Sequence, residues 1–126
     1  MNPILKKLQF KAQSPVLVLK APPEFAPIKA AFEVPVHSAV KGAYGFVLAF
    51  AKSQAEATGH AKALKKALAD DKALLWLAYP KGSSKKYAAD LNRDSLHALM
   101  ASQGFDGVSL VAIDDDWSAM RFKRLT

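Results

Sequence analysis

Phe46-Val47-Leu48-Ala49-Phe50 is followed by Ser53-Gln54-Ala55-Glu56, and one helix length later by Ala73-Leu74-Leu75-Trp76-Leu77-Ala78-Tyr79. The two outer runs are apolar at every position. A strand half-exposed to water alternates, so an unbroken apolar run of this length predicts a strand covered by helices on both faces. Between them, the Ser53 hydroxyl and the Glu56 carboxylate form a capping-box pattern, in which each end satisfies an orphan amide of the other. Ala57, Ala61, Leu64 and Leu68 then recur at helical spacing, while Lys62, Lys65 and Lys66 fall on other faces. Strand, helix and strand in this order predict a parallel crossover unit.

The pattern continues on the C-terminal side. Asp90 or Asn92 can cap a helix running to about Ser102, with Leu96, Leu99 and Met100 inward and Gly104 ending it. Val108–Ile113 reads as the next strand, and Asp114-Asp115-Asp116 as a turn. Trp117–Leu125 returns with Ser118, Met120 and Phe122 on one face and Trp117, Ala119 and Arg121 on the other, which predicts an antiparallel hairpin.

Toward the N-terminus the elements shorten. Six of the seven prolines lie within the first 35 residues, and proline breaks helix interiors and removes ladder donors. We expect a short helix at Pro3–Leu8, a strand at Val16–Leu19, a loop at Ala21–Phe25 and a weak helix near Pro27–Phe32. Glu33–Ser38 reads as a short strand placed near an edge by Pro35. The fold class expected is α/β: one small Rossmann-like domain over residues 1–126, its sheet mostly parallel, with helices on both faces and a C-terminal antiparallel hairpin.

The chain has no cysteine among its 126 residues, which excludes disulfides, thiolate metal sites and thiol nucleophiles. The N-terminus carries no secretory pattern, and no apolar run approaches the roughly 20 residues of a membrane helix. A cytoplasmic protein without membrane contact is expected. The net charge of +7 is uneven: residues 1–79 hold eleven lysines against five acids, and residues 80–126 hold seven basic groups against six acids. Such a balance can attract anions or nucleic acid.

Trp76-Leu77-Ala78-Tyr79-Pro80-Lys81-Gly82-Ser83-Ser84, Asp90-Leu91-Asn92-Arg93-Asp94, and Ala112-Ile113-Asp114 with Trp117-Ser118-Ala119-Met120-Arg121-Phe122 together resemble a family of small bacterial proteins, the DUF3052 domain of unknown function. The likeness takes in Leu5-Lys6-Lys7-Leu8 and the Tyr44–Leu68 unit, and so most of the chain. It implies a short Rossmann-like domain and no established activity. The element order also looks like the second half of a methyltransferase fold. Against a working S-adenosylmethionine site stands the first turn, Lys20-Ala21-Pro22-Pro23-Glu24, which has two prolines where such folds use glycine to let a ligand approach the backbone.

The candidate ligand site combines Lys81, Gly82, Ser83, Ser84 and Lys85, leaving the end of a buried strand, with Arg93, Trp117 and Arg121. Donors after a strand's carboxyl end suit a phosphate or carboxylate. Arg93 would supply a bidentate contact or pair with a neighbouring aspartate. The aspartates of 114–116 read as a turn rather than a metal site. His37, His60 and His97 have no metal-ligand spacing, and no serine sits in a nucleophile elbow. The expectation is therefore a non-catalytic binding module for an anionic small molecule or an acidic protein surface, with no cofactor, no catalytic residue and no metal. A reduced S-adenosylmethionine-dependent methyltransferase-like enzyme binding beside Ala21–Phe25 is the alternative, and a weak nucleic-acid binder the second.

Overall fold

The computed structural model describes residues 2–125. Ten elements follow the chain: α1 (Pro3–Lys7), β1 (Val16–Leu19), α2 (Ala26–Ala30), β2 (Val36–His37), β3 (Phe46–Phe50), α3 (Gln54–Leu64), β4 (Leu74–Pro80), α4 (Arg93–Ser102), β5 (Phe105–Ala112) and β6 (Trp117–Arg124). A single 3-10 turn, Pro23–Phe25, precedes α2. The strands form one sheet in the order β2-β1-β3-β4-β6-β5. The first four are parallel, and β6 runs antiparallel to both β4 and β5. The expected α/β architecture is the observed one.

β3 is buried at all five positions, as its unbroken apolar run requires. On one face, Val47, Leu75, Leu77, Met120 and Phe122 meet Ala57, Ala61 and Leu64 of α3 and Leu96 and Met100 of α4. On the other, Phe46, Leu48, Phe50, Trp76, Ala119 and Trp117 meet Leu5 and Leu8 around α1, then Phe10, Phe25 and Phe32. Each large side chain buried this way stabilises the fold by about 1.5–3 kcal/mol. Truncating Leu64 to alanine would cost roughly 2–5 kcal/mol, because the alanines around it cannot fill the gap. The Trp76 indole N–H donates to the Leu8 carbonyl at 2.9 Å and pins the end of α1 to the sheet.

Local details differ from the sequence reading in instructive ways. The strand expected over Glu33–Ser38 shrinks to Val36–His37, at the sheet edge, because Glu33 takes a left-handed backbone with φ of 58°. Ser53 caps α3 as expected, but the Glu56 carboxylate accepts from the Lys52 amide at 2.9 Å rather than from Ser53. Asn92, in a reciprocal box with Ser95, caps α4. Asp90 instead accepts from the Gln54 amide at 2.7 Å and so serves the start of α3, thirty-six residues away.

Candidate functional site at the carboxyl edge of the sheet

From β1 the chain steps outward to β2, then back past β1 to β3. The strand order therefore reverses between β1 and β3, and in open α/β sheets ligands bind beyond the carboxyl ends of strands at such a switch point. Here the edge carries Lys20, just after β1, with a left-handed φ of 59°. That conformation is costly for a residue with a Cβ and is the one a tight glycine turn would adopt. Phe50 and Lys52 come from the end of β3, Glu56 from the first turn of α3, and Trp117 from the start of β6. Together these five line a cleft of about 260 Å³.

A strap formed by residues 81–90 closes over this edge. Its near end is tied to the hairpin turn: the Lys81 amide donates to the Asp116 carbonyl at 2.8 Å, and the Ser84 hydroxyl donates to the Asp116 carboxylate at 2.8 Å. Its middle crosses to the loop after β1. There the Tyr87 hydroxyl donates to both oxygens of the Glu24 carboxylate, and the Lys86 ammonium pairs with Glu24 at 3.0 Å. The Lys52 and Lys86 ammonium groups lie 5.4 and 5.6 Å from the centre of the Tyr87 ring. The hydrogen bond from Tyr87, followed by Lys86, holds the Glu24 carboxyl below the usual carboxylate range. The same bond raises the Tyr87 hydroxyl, and Glu24 raises the Lys86 ammonium.

Under the strap, the Tyr87 ring lies 5.0 Å from the Trp117 ring, which in turn packs edge-on to Phe50 at 5.1 Å. Trp117 is 2% exposed, and its indole N–H has no acceptor among the described residues. Buried polar groups are nearly always paired, so this donor stands apart from the paired indole of Trp76. From the opposite side, the His60 ring nitrogen bonds the Phe50 carbonyl at 2.9 Å and fixes the floor of the cleft.

The structure disperses the residues expected to form one donor cluster. Ser84 is consumed by the strap's own turn, accepting from the Lys86 and Tyr87 amides as it donates to Asp116. Gly82, Ser83 and Lys85 are exposed, and a Cβ at Gly82 would meet nothing within 4 Å, so no close approach requires glycine there. Arg93 lies on the other face of the sheet, paired with Asp94 at 3.6 Å, in a hollow shared with His97 and Leu110. Arg121 points to the same face as Trp117 and Ala119, with its Nε buried and unpartnered among the described residues. Only Trp117 reaches the switch-point cleft. Lys20, Glu24, Lys52 and Tyr87 were missed, although Tyr87 is the single aromatic residue of the polar stretch 81–94. The aspartate turn does what short turns do: the Asp114 carboxylate accepts from the Asp116 and Trp117 amides, both at 2.8 Å.

No protein-family model and no curated protein matches the chain. Solved structures do. An N-methyltransferase, NodS from Bradyrhizobium japonicum, matches at a TM-score of 0.61 with 10% identity over 99% of this chain and 98% of its own. A ribosomal protein methylase from Lactobacillus delbrueckii subsp. bulgaricus matches at 0.60 with 10% identity, over 98% of this chain and 76% of its own. LepI, solved in complex with SAM, matches at 0.59 with 11% identity, over 96% of this chain and 39% of its own. The chain shares the fold of these three structures. The expectation of a non-catalytic module, and of a protein more readily a binder than an enzyme, is corrected here. Structures that share the fold across nearly the whole chain are named as methyltransferases.

The residues present fit S-adenosylmethionine only in part. Lys20 and Lys52 offer donors for a carboxylate, and Phe50 with Trp117 an apolar floor. A nucleoside does not fit beside them as the strap stands. The cleft's 260 Å³ falls below the 300–1,000 Å³ usual for such ligands, Pro22 and Pro23 occupy the first turn, and β2 ends on His37 and Ser38 with no acid to hold a ribose.

Proposed function

We propose that the protein is a reduced methyltransferase-like enzyme whose S-adenosylmethionine site lies at the carboxyl edge between β1 and β3, and that strap 81–90 is displaced when the site fills. The carrying observation is the fold shared with methyltransferases over almost the whole chain. Two features support this position. The switch point coincides with a cleft, and that cleft is lined by Trp117, whose buried indole N–H has no acceptor among the described residues. The strap's attachments at Glu24, Lys86 and Tyr87 are side-chain contacts at the surface, which open at little cost to the folded core.

The chain's own residues would bind and orient. Lys20 and Lys52 would receive the carboxylate end of the ligand, Phe50 and Trp117 would exclude water from below, and Tyr87 would leave Glu24 as the strap moves aside. Titration calorimetry of the full chain with S-adenosylmethionine tests the reading. Saturable heat at millimolar ligand or below is expected, with amide shifts in residues 20–25 and 84–90. No heat at millimolar ligand overturns it.

A further inference from the structure

A second hollow lies at the other end of the sheet. It measures about 820 Å³ and is lined by Lys6, Gln9, Phe10, Lys11, Gln13, Lys72 and Leu74. Leu74 opens β4, so the hollow sits at the amino end of the strands, opposite the cleft at the switch point. Three lysines and two glutamines face into it, and no acid lines it.

Elsewhere four basic groups have partners: Lys86 has Glu24, Arg93 has Asp94, Arg124 has Asp71, and the Lys7 ammonium donates to the Ala112 carbonyl, while the other lysines form no ion pair among the described residues. Among the described residues, Lys6, Lys11 and Lys72 form no ion pair. The acids nearest in sequence are turned to other tasks. The Asp70 carboxylate accepts from the Lys72 amide at 2.8 Å, and Asp71 faces Arg124 at 3.8 Å.

The backbone that brings these groups together is held in an uncommon form. Gln9 and Ala12 both have φ of 61°, a left-handed conformation that non-glycine residues seldom take. The segment between them is anchored by Phe10, which packs edge-on against Phe32 and Phe46 at 4.9 and 5.4 Å. Its exposed side chains, Gln9 and Lys11, are thus placed by a core anchor rather than by a loose loop. Three like charges around one concavity repel each other, and low-dielectric walls concentrate their field toward its centre. An anion there would relieve that repulsion.

We infer that this hollow is a binding site for a small phosphorylated molecule. Lys6, Lys11 and Lys72 would neutralise the phosphate as point charges. Gln9 and Gln13 would offer amide groups to ester or hydroxyl oxygens, although the Gln13 carbonyl oxygen already accepts from the Lys11 amide at 2.8 Å. Phe10 and Leu74 give the carbon-bearing part an apolar floor. The site is separate from the proposed methyltransferase site, so either can fail without the other.

The test is an amide-resolved titration of the full chain with inorganic pyrophosphate, run beside a single-stranded oligonucleotide. Saturable shifts are expected in residues 6–13 and 72–74. Affinity should fall at least about tenfold in the Lys11→Glu, Lys72→Glu double variant, a change of about 1.4 kcal/mol, and in the charge-neutral Lys11→Gln, Lys72→Gln pair. Lys85→Glu, in the strap, should change nothing. Absence of saturable shifts, shifts shared evenly by all lysines, or binding that survives both double variants overturns the inference. So does an oligonucleotide that binds more tightly than pyrophosphate with a log–log salt slope steeper than roughly −2, the most three lysines can supply on a single strand. That outcome would make the face a nucleic-acid surface.

Discussion

Trp76 and Trp117 lie on adjacent strands and belong to the same buried face, yet their indoles are treated differently. Trp76 is fully buried and its N–H is satisfied by the Leu8 carbonyl. Trp117 is nearly as buried, but its N–H has no acceptor among the described residues. The first sits under α1, where the chain only has to hold together. The second sits at the carboxyl edge, beneath a strap fastened at Glu24 by side chains and at Asp116 by one backbone bond and the Ser84 hydroxyl. A fold that pairs one buried indole and leaves its neighbour unpaired marks the second region as the one shaped for something other than stability.

The largest expected effect breaks this comparison at its stable end. Trp76→Phe opens a gap and strips the Leu8 carbonyl of its donor, so unfolding free energy in urea should fall by about 3 kcal/mol. Trp117→Phe opens a similar gap but orphans no partner. Its cost should be smaller by about 1–2 kcal/mol. Equal losses would mean that the Trp117 donor is satisfied after all.

A smaller, local effect sharpens the other end. Tyr87→Phe removes the hydroxyl that grips Glu24 but keeps the ring against Trp117. Amide exchange in residues 84–90 should speed up roughly tenfold, while the global unfolding midpoint stays in place. A shift of the global midpoint instead would make the strap part of the core.

The smallest effect is in pH. Glu24 titrates below its ordinary value when the strap is closed, so its contribution is complete above about pH 4.5 and is lost as pH falls through the lowered value. Tyr87 and Lys86 are raised, so their contributions are complete below about pH 10 and are lost as pH rises past the raised values. Exchange in the strap should therefore be slowest between these limits and quicken on both sides. In Glu24→Gln both flanks should flatten.

The parts legible in the sequence were those that local chemistry dictates. Phe46–Phe50 and Ala73–Tyr79 declared buried strands by being apolar throughout, Asp90 or Asn92 marked a helix start that the structure assigns to Asn92, and the alternation after Trp117 declared the hairpin. The site was legible only in outline. Ser84 has the same hydroxyl whether it holds a ligand or Asp116, and only the folded turn decides. Arg93 follows the strap in sequence, yet the start of α4 carries it to the opposite face. Glu24 and Tyr87 meet across sixty-three residues, a pairing that no local pattern encodes. The absence of glycine after β1 was legible as a departure from the usual nucleotide turn, but not what that departure does to the site. The likeness in fold to methyltransferases runs over almost the whole chain and rests on no short motif.

The most direct measurement follows the two indole N–H resonances of the full chain as S-adenosylmethionine is added. The account predicts that the Trp117 resonance moves and saturates in step with amides 84–90, while the Trp76 resonance, held by Leu8, stays where it is. Two indoles that both remain still at millimolar ligand, or that move together, would contradict it.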